Sequence, residues 1–184
     1  MHVNILETER LVLRRFSLRD NNFIIKLLNT VGWIRFIGDR NVKNIIQAKH
    51  YLDNGPLKMY RNGEFGLNLV SLKQTNTSIG MCGLLKRDYL EQNDIGFAFL
   101  PEHAGKGYGY EIASAVMQYA FDAMQKQALA AITLPENAAS IKLIEKLGFL
   151  YSNNFITADT RETLSLYTAT KDSFEKRNST RVVA

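Results

Sequence analysis

Cysteine is almost absent. Only Cys82 occurs in 184 residues, so no internal disulfide can form and the chain fits a reducing, cytoplasmic setting. A free cysteine within an apolar strand is expected to be a buried, inert thiol rather than a nucleophile. No group of Cys and His has metal-ligand spacing, and no metal is expected. No apolar run reaches the roughly 18 residues that a membrane span needs. The opening Met1-His2-Val3-Asn4-Ile5-Leu6-Glu7 lacks a basic stretch followed by an apolar one, so it does not read as a signal peptide. Proline and glycine show no low-complexity excess.

Hydrophobic residues make up 46% of the chain, enough for a proper core. The length predicts one domain over residues 1–184. The net charge of +5 suits an anionic ligand and equally an ordinary basic protein; direct nucleic-acid binding is not expected.

The chain is organised around Asn93 to Gln127. An apolar run, Asp94-Ile95-Gly96-Phe97-Ala98-Phe99-Leu100, is ended by Pro101 and Glu102. The loop His103-Ala104-Gly105-Lys106-Gly107-Tyr108-Gly109-Tyr110 follows, and a helical pattern runs from Glu111 to Lys126, with Ile112, Val116, Ala120 and Met124 four apart. Strand, glycine loop and helix together make an anion trap. Glycines let the backbone approach a ligand, and unpaired N–H groups at the helix start point at negative charge. Lys106 adds a cation.

The loop is not a P-loop, because no Gly-x-x-x-x-Gly-Lys-Ser/Thr run exists. It is not the dinucleotide fingerprint either, because the third glycine position is Tyr110. A glycine-rich turn without a ligand would look the same in isolation. The run Gly105-Lys106-Gly107-Tyr108-Gly109 resembles the coenzyme A pyrophosphate loop of the GNAT N-acetyltransferase superfamily, with Ala104 where Gln or Arg is common. Leu6-Glu7-Thr8-Glu9-Arg10-Leu11-Val12-Leu13-Arg14, Trp33-Ile34-Arg35-Phe36-Ile37-Gly38 and Ile79-Gly80-Met81-Cys82-Gly83-Leu84 resemble one branch of it, which contains the ribosomal-protein N-terminal (alanine/serine) acetyltransferases. Asn137-Ala138-Ala139-Ser140, followed by Lys146-Leu147-Gly148-Phe149, resembles the second signature block. The match covers about residues 6–170.

The remaining elements are read from pattern. Strands are expected at 10–16, 65–72, 78–85, 129–134, about 151–156 and 163–170, with a hairpin turn at Gln74-Thr75-Asn76-Thr77. Helices are expected at 22–29, 42–54 and from the Asn137 cap to Gly148. The tail after Lys171 is expected to be frayed or a final helical turn.

The resemblance implies an α/β fold of α+β type: a mixed, bent sheet of about six to seven strands flanked by helices. Parallel strands at 94–100 and 129–134 would splay at the cofactor cleft. It implies acetyl-CoA as co-substrate and a primary amine as acceptor, either a ribosomal or other protein N-terminus or a small molecule. Pantetheine would pair with the backbone of Phe97, Phe99 and Leu100. The pyrophosphate would lie on Gly105, Lys106, Gly107, Tyr108, Gly109 and Tyr110, with Asn137 and Ser140 also against the cofactor. A backbone N–H near Phe97 or Phe99 would stabilise the oxyanion.

Asp94 is the candidate base, directly or through water, with Glu102 and His103 as loop residues that could replace it. Many superfamily members place a Tyr four residues beyond the Ser140 position to serve the leaving thiol. Here that residue is Ile144, and the branch moves the role to Ser140. A catalytically silent acyl-CoA-binding module and a nucleotide-binding regulator remain as alternatives. Trp33, Phe36, Tyr60 and Tyr167 could line an acceptor pocket, though each residue type more often fills a core. Oligomeric state, monomer or dimer, is open.

Overall fold

A computed structural model describes residues 4–158 and 160–182. Residues 1–3, 159, 183 and 184 lie outside the described residues, and with them the first residues of the opening segment and the end of the tail. In chain order the elements are β1 (Asn4–Glu7), β2 (Leu11–Arg14), α1 (Asn21–Leu28), α2 (Val31–Phe36), α3 (Ile45–Asn54), α4 (Pro56–Arg61), β3 (Gly66–Leu72) and β4 (Ser78–Leu85). They continue as β5 (Asp94–Phe99), α5 (Tyr108–Asp122), β6 (Ala128–Thr133), α6 (Ala138–Leu147), β7 (Leu150–Ile156), β8 (Thr163–Thr170) and α7 (Lys171–Val182).

The strand order is β1-β2-β3-β4-β5-β6-β8-β7. The β1/β2, β2/β3, β3/β4, β6/β8 and β7/β8 pairs are antiparallel, whereas β5 and β6 are parallel. This is the expected mixed sheet, with eight strands rather than six to seven. The strand added to the expectation is β1. Its four residues are too few for period-two alternation to register, and its pairing with β2 is what holds it.

Contacts gather into two compact units, Met1–Leu85 with Gly96–Val116, and Lys86–Ile95 with Met117–Ala184. In the first, Ile24, Leu27 and Leu28 of α1 join Trp33, Ala48, Leu52, Leu69 and Met81 in one buried cluster. Ser17 and Asp20 cap reciprocally the 3₁₀ turn Leu18–Asp20 that leads into α1. Gly80 is required by close approach, since a Cβ there would enter the Phe99 ring and the Ala98 carbonyl. Cys82 is fully buried, and burial pushes its thiol up to about 12, as expected of an inert core thiol.

In the second unit, β6 pairs with β8 over six registered positions, from Ala128↔Thr170 to Thr133↔Ser165. The tail corrects the expectation of fraying or a single turn, for α7 is 12 residues long. Thr170 Oγ1 accepts from Ser173 N–H, and Ser173 Oγ accepts from Thr170 N–H, each at 3.2 Å. Phe174 is buried with its ring 5.2 Å from that of Phe121, and Arg177 donates to the Lys146 carbonyl. One apolar anchor in a polar segment leaves no helical period to read. No helix among the described residues is long and apolar enough to cross a membrane.

Candidate functional site

The glycine loop lies in the first unit. Pro101–His103 form one 3₁₀ turn after β5. Gly105 and Gly107 then take φ of 73° and 82°, which L side chains adopt at a cost. Gly109 falls inside α5. The first α5 hydrogen bond runs from Glu111 N–H to the Gly107 carbonyl at 3.1 Å. The amides of Gly107, Tyr108 and Gly109 therefore precede the ladder, and none has an acceptor among the described residues. Three free donors at the start of a 15-residue helix meet the physical requirement for holding an anion. Lys106 is exposed beside them, while Tyr108 and Tyr110 are half-buried.

Phe97 and Phe99 are half-buried in β5. Leu100 is buried. Its N–H donates to the Ile79 carbonyl at 2.9 Å and its carbonyl accepts from His103 at 3.0 Å, so its amide is spent on the fold. Glu102 is exposed and pairs with Lys26 at 2.5 Å. His103 is half-buried, with its ring 6.5 Å from that of Tyr108. Its Nδ1 is buried without a hydrogen-bond partner.

Asp94, Asn137 and Ser140 lie in the second unit. Asp94 stands opposite Ala130 at the one registered rung of the β5/β6 pair, and Ala130 N–H donates to the Asn93 carbonyl at 2.9 Å. The Asp94 side chain is 2% exposed and accepts from Arg87 Nε at 3.0 Å, while Arg87 is 34% exposed. Burial raises the Asp94 carboxyl above its ordinary value, and Arg87 opposes this only in part.

Asn137 caps α6, its Oδ1 accepting from Ser140 N–H at 3.2 Å. Its Nδ2 is left over. Ser140 is half-buried, and its hydroxyl makes no hydrogen bond to any described residue. Ile144 is buried, so that position of α6 belongs to the core.

Of the acceptor-pocket candidates, Trp33 and Tyr167 are buried. Tyr60 accepts from Phe16 N–H at 3.2 Å and donates to the Leu67 carbonyl at 2.5 Å, so it too supports the fold. Phe36 is half-buried, with the Arg35 guanidinium 5.0 Å from its ring centre. Sequence reasoning assigned no role to Arg10, Glu111 or Arg87. Arg10 and Glu111 are joined at the loop by hydrogen bonds across 101 positions, a separation no local pattern reveals. The likeness of the Arg10 segment to a known first strand was the one signal pointing there.

A family model described as an acetyltransferase (GNAT) domain matches residues 10–150. Over 147 residues the chain is 29% identical to the uncharacterized N-acetyltransferase YoaA of Bacillus subtilis (strain 168), covering 79% of this chain and 82% of that protein. The ribosomal-protein-S5-alanine acetyltransferase of Vibrio fischeri matches in structure with a TM-score of 0.70 at 17% identity, over 94% of this chain and 98% of that one. The microcin C7 self-immunity acetyltransferase MccE, in complex with acetyl-CoA and AMP, matches with a TM-score of 0.75 at 14% identity, over 89% and 93% of the two chains. At these identities the two structures show a shared fold.

Proposed function

This chain belongs to the acetyltransferase (GNAT) family, and we propose that it moves an acetyl group from acetyl-CoA to a primary amine by direct attack in a ternary complex. The acceptor class is a protein N-terminus or a small-molecule amine. The observation that carries this reading is the run of acceptor-free amides at Gly107, Tyr108 and Gly109, presented by glycines at positive φ. These amides, with Gly105, Lys106 and the Tyr110 position, hold the coenzyme A pyrophosphate. The backbone at Phe97 and Phe99 takes the pantetheine arm and offers an N–H to the oxyanion; the spent Leu100 amide limits that stretch.

In the reaction the amine nitrogen attacks the thioester carbon, the C–S bond breaks, and the thiolate leaves. The amine proton passes to Asp94. At 2% exposure the carboxylate does not meet the amine itself, so the transfer runs through water. The Ser140 hydroxyl donates to the departing sulfur near the N-terminus of α6, which favours negative charge. Solvent completes the protonation.

Calorimetry with acetyl-CoA tests the loop. In Gly107→Val the strained φ and the added bulk should weaken binding by about tenfold, the loss of one hydrogen bond to a charged group, with the circular dichroism of the parent retained. An unchanged Kd removes the loop assignment. Full affinity without turnover across a panel of N-terminal peptides, polyamines and small amines identifies the silent binding module instead.

Ser140→Ala should lower kcat by about tenfold on the same hydrogen-bond scale, with acetyl-CoA affinity unchanged. If it lowers only Tm, and the folded protein turns over normally, Ser140 is a helix-start residue and water serves the sulfur.

A further inference from the structure

We propose that Arg10 is a positioning residue of the phosphate loop, held by Glu111, and that it turns the loop's oxygens away from the ligand while cancelling the carboxylate at the mouth of α5. This rests on the reading of the loop as the coenzyme A pyrophosphate site.

Glu111 is in the first turn of α5 and is saturated. Its Oε1 accepts from Thr8 Oγ1 at 2.6 Å and from Arg10 N–H at 2.9 Å, its Oε2 accepts from Arg10 Nε at 2.6 Å, and the Arg10 Nη2 lies 2.6 Å from Oε2 in the ion pair. Burial raises its carboxyl, but the hydrogen bonds from Thr8 and Arg10 outweigh that and hold it below the ordinary glutamate value. It is therefore an anion at neutral pH.

The same guanidinium touches three successive loop residues. Arg10 Nη1 donates to the Lys106 carbonyl at 3.1 Å, Nη2 lies 3.3 Å from where a Gly107 Cβ would stand, and the cation sits 4.6 Å from the centre of the Tyr108 ring. The consequence follows from oxygen accounting. A diphosphate is repelled by carbonyl oxygens and attracted by amides. The Gly107 carbonyl is taken by Glu111 N–H and the Lys106 carbonyl by Arg10. With both tied, the amides of Gly107, Tyr108 and Gly109 are what the loop presents.

Charge makes the pair asymmetric. Glu111 alone, at the start of α5, would repel a diphosphate; paired with Arg10 it is neutral. Lysine cannot substitute, because one ammonium cannot bridge the carboxylate and the Lys106 carbonyl in fixed planar geometry.

The test compares the parent with Arg10→Lys, Arg10→Met, the double variant Arg10→Met/Glu111→Gln, and Gly107→Val. Acetyl-CoA Kd is read by calorimetry and Tm by scanning calorimetry. Arg10→Met should weaken binding by about tenfold and Arg10→Lys by several-fold, on the scale of one or two charge-assisted hydrogen bonds. The double variant should bind several-fold more tightly than Arg10→Met while melting no higher, because the bare carboxylate is gone. A purely structural clamp would move Kd and Tm together. If the double variant binds no better than Arg10→Met, or Arg10→Lys binds like the parent, while Gly107→Val still loses affinity, the Arg10 assignment is overturned and the loop stands. If Gly107→Val also binds like the parent, the loop reading has failed and the Arg10 role fails with it.

Discussion

Asp94→Asn lowers kcat by about 10²–10⁴-fold, the range for loss of a general base, and leaves acetyl-CoA affinity at the parent value. A base must be ionised to act and basic enough to take a proton. Burial lifts the Asp94 carboxyl above its ordinary value against the opposing charge of Arg87, which moves it towards neutrality, where a general base is most effective. As pH falls through that raised pKa the carboxylate protonates, so kcat/KM of the parent should fall on an acidic limb lying above the ordinary aspartate range. The asparagine variant should have no such limb. Asparagine keeps an oxygen for Arg87 Nε, and Arg87 is open enough to water to tolerate the lost charge.

The stability sign separates this from unfolding. A carboxyl whose pKa is raised in the folded state contributes stability below its unfolded pKa, and loses it as pH rises through the folded pKa. At neutral pH the ionised Asp94 is therefore a cost, and the asparagine variant should keep its Tm. An unchanged acidic limb in the variant would transfer the base role to Glu102 or His103. Of these, Glu102 is tied to Lys26, whereas His103 has a ring nitrogen without a partner.

Asp20→Ala should destabilise the fold by about 3–5 kcal/mol, the cost of stripping one partner from a buried ion pair. Arg14 and Asp20 have side chains only 10% and 9% exposed. They meet through two hydrogen bonds, Nη2 to Oδ1 at 2.7 Å and Nη1 to Oδ2 at 3.0 Å. Oδ2 also accepts from Ser17 N–H at 2.8 Å and from Ser17 Oγ at 3.1 Å. The substitution removes the capping box of the 3₁₀ turn that leads into α1 and leaves the Arg14 guanidinium buried without its anion.

The pH dependence runs opposite to that of Asp94. Burial pulls the Asp20 carboxyl up, but the hydrogen bonds from Arg14 and Ser17 outweigh it and hold it below the ordinary value of 3.8. Its contribution is present above the unfolded pKa and is lost as pH falls through the folded one. The stability of the parent against urea should thus fall as pH drops below about 4, the unfolded aspartate range, and Asp20→Asn should flatten that limb. A loss below about 1 kcal/mol in Asp20→Ala, the range of exposed ion pairs, would mean that water reaches Arg14 as soon as its partner is gone.

What the sequence determined by itself is whatever depends on neighbours in the chain. The run from Asn93 to Gln127 reads as strand, glycine loop and helix because the signals are local: an apolar run, alternate glycines and a four-residue period; the helix itself spans Tyr108–Asp122 rather than Glu111–Lys126. Asn137 and Gly148 marked the ends of α6 in the same way, and the structure returns the cap hydrogen bond and a φ of 94°. The turn at Gln74–Thr77 separated two strands that do pair.

Tertiary structure alone decided matters that turn on distant partners. The 2% exposure of Asp94 is set by what packs over it, and a carboxylate at a strand start reads the same whether solvated or buried. Arg10 and Glu111 meet across 101 positions. The tail became a helix because Phe174 found Phe121, and β1 became a strand because β2 was there to pair with it. Four residues or one aromatic do not offset their own ordering entropy; burial against another element supplies that free energy, and it depends on the packed chain rather than on the segment.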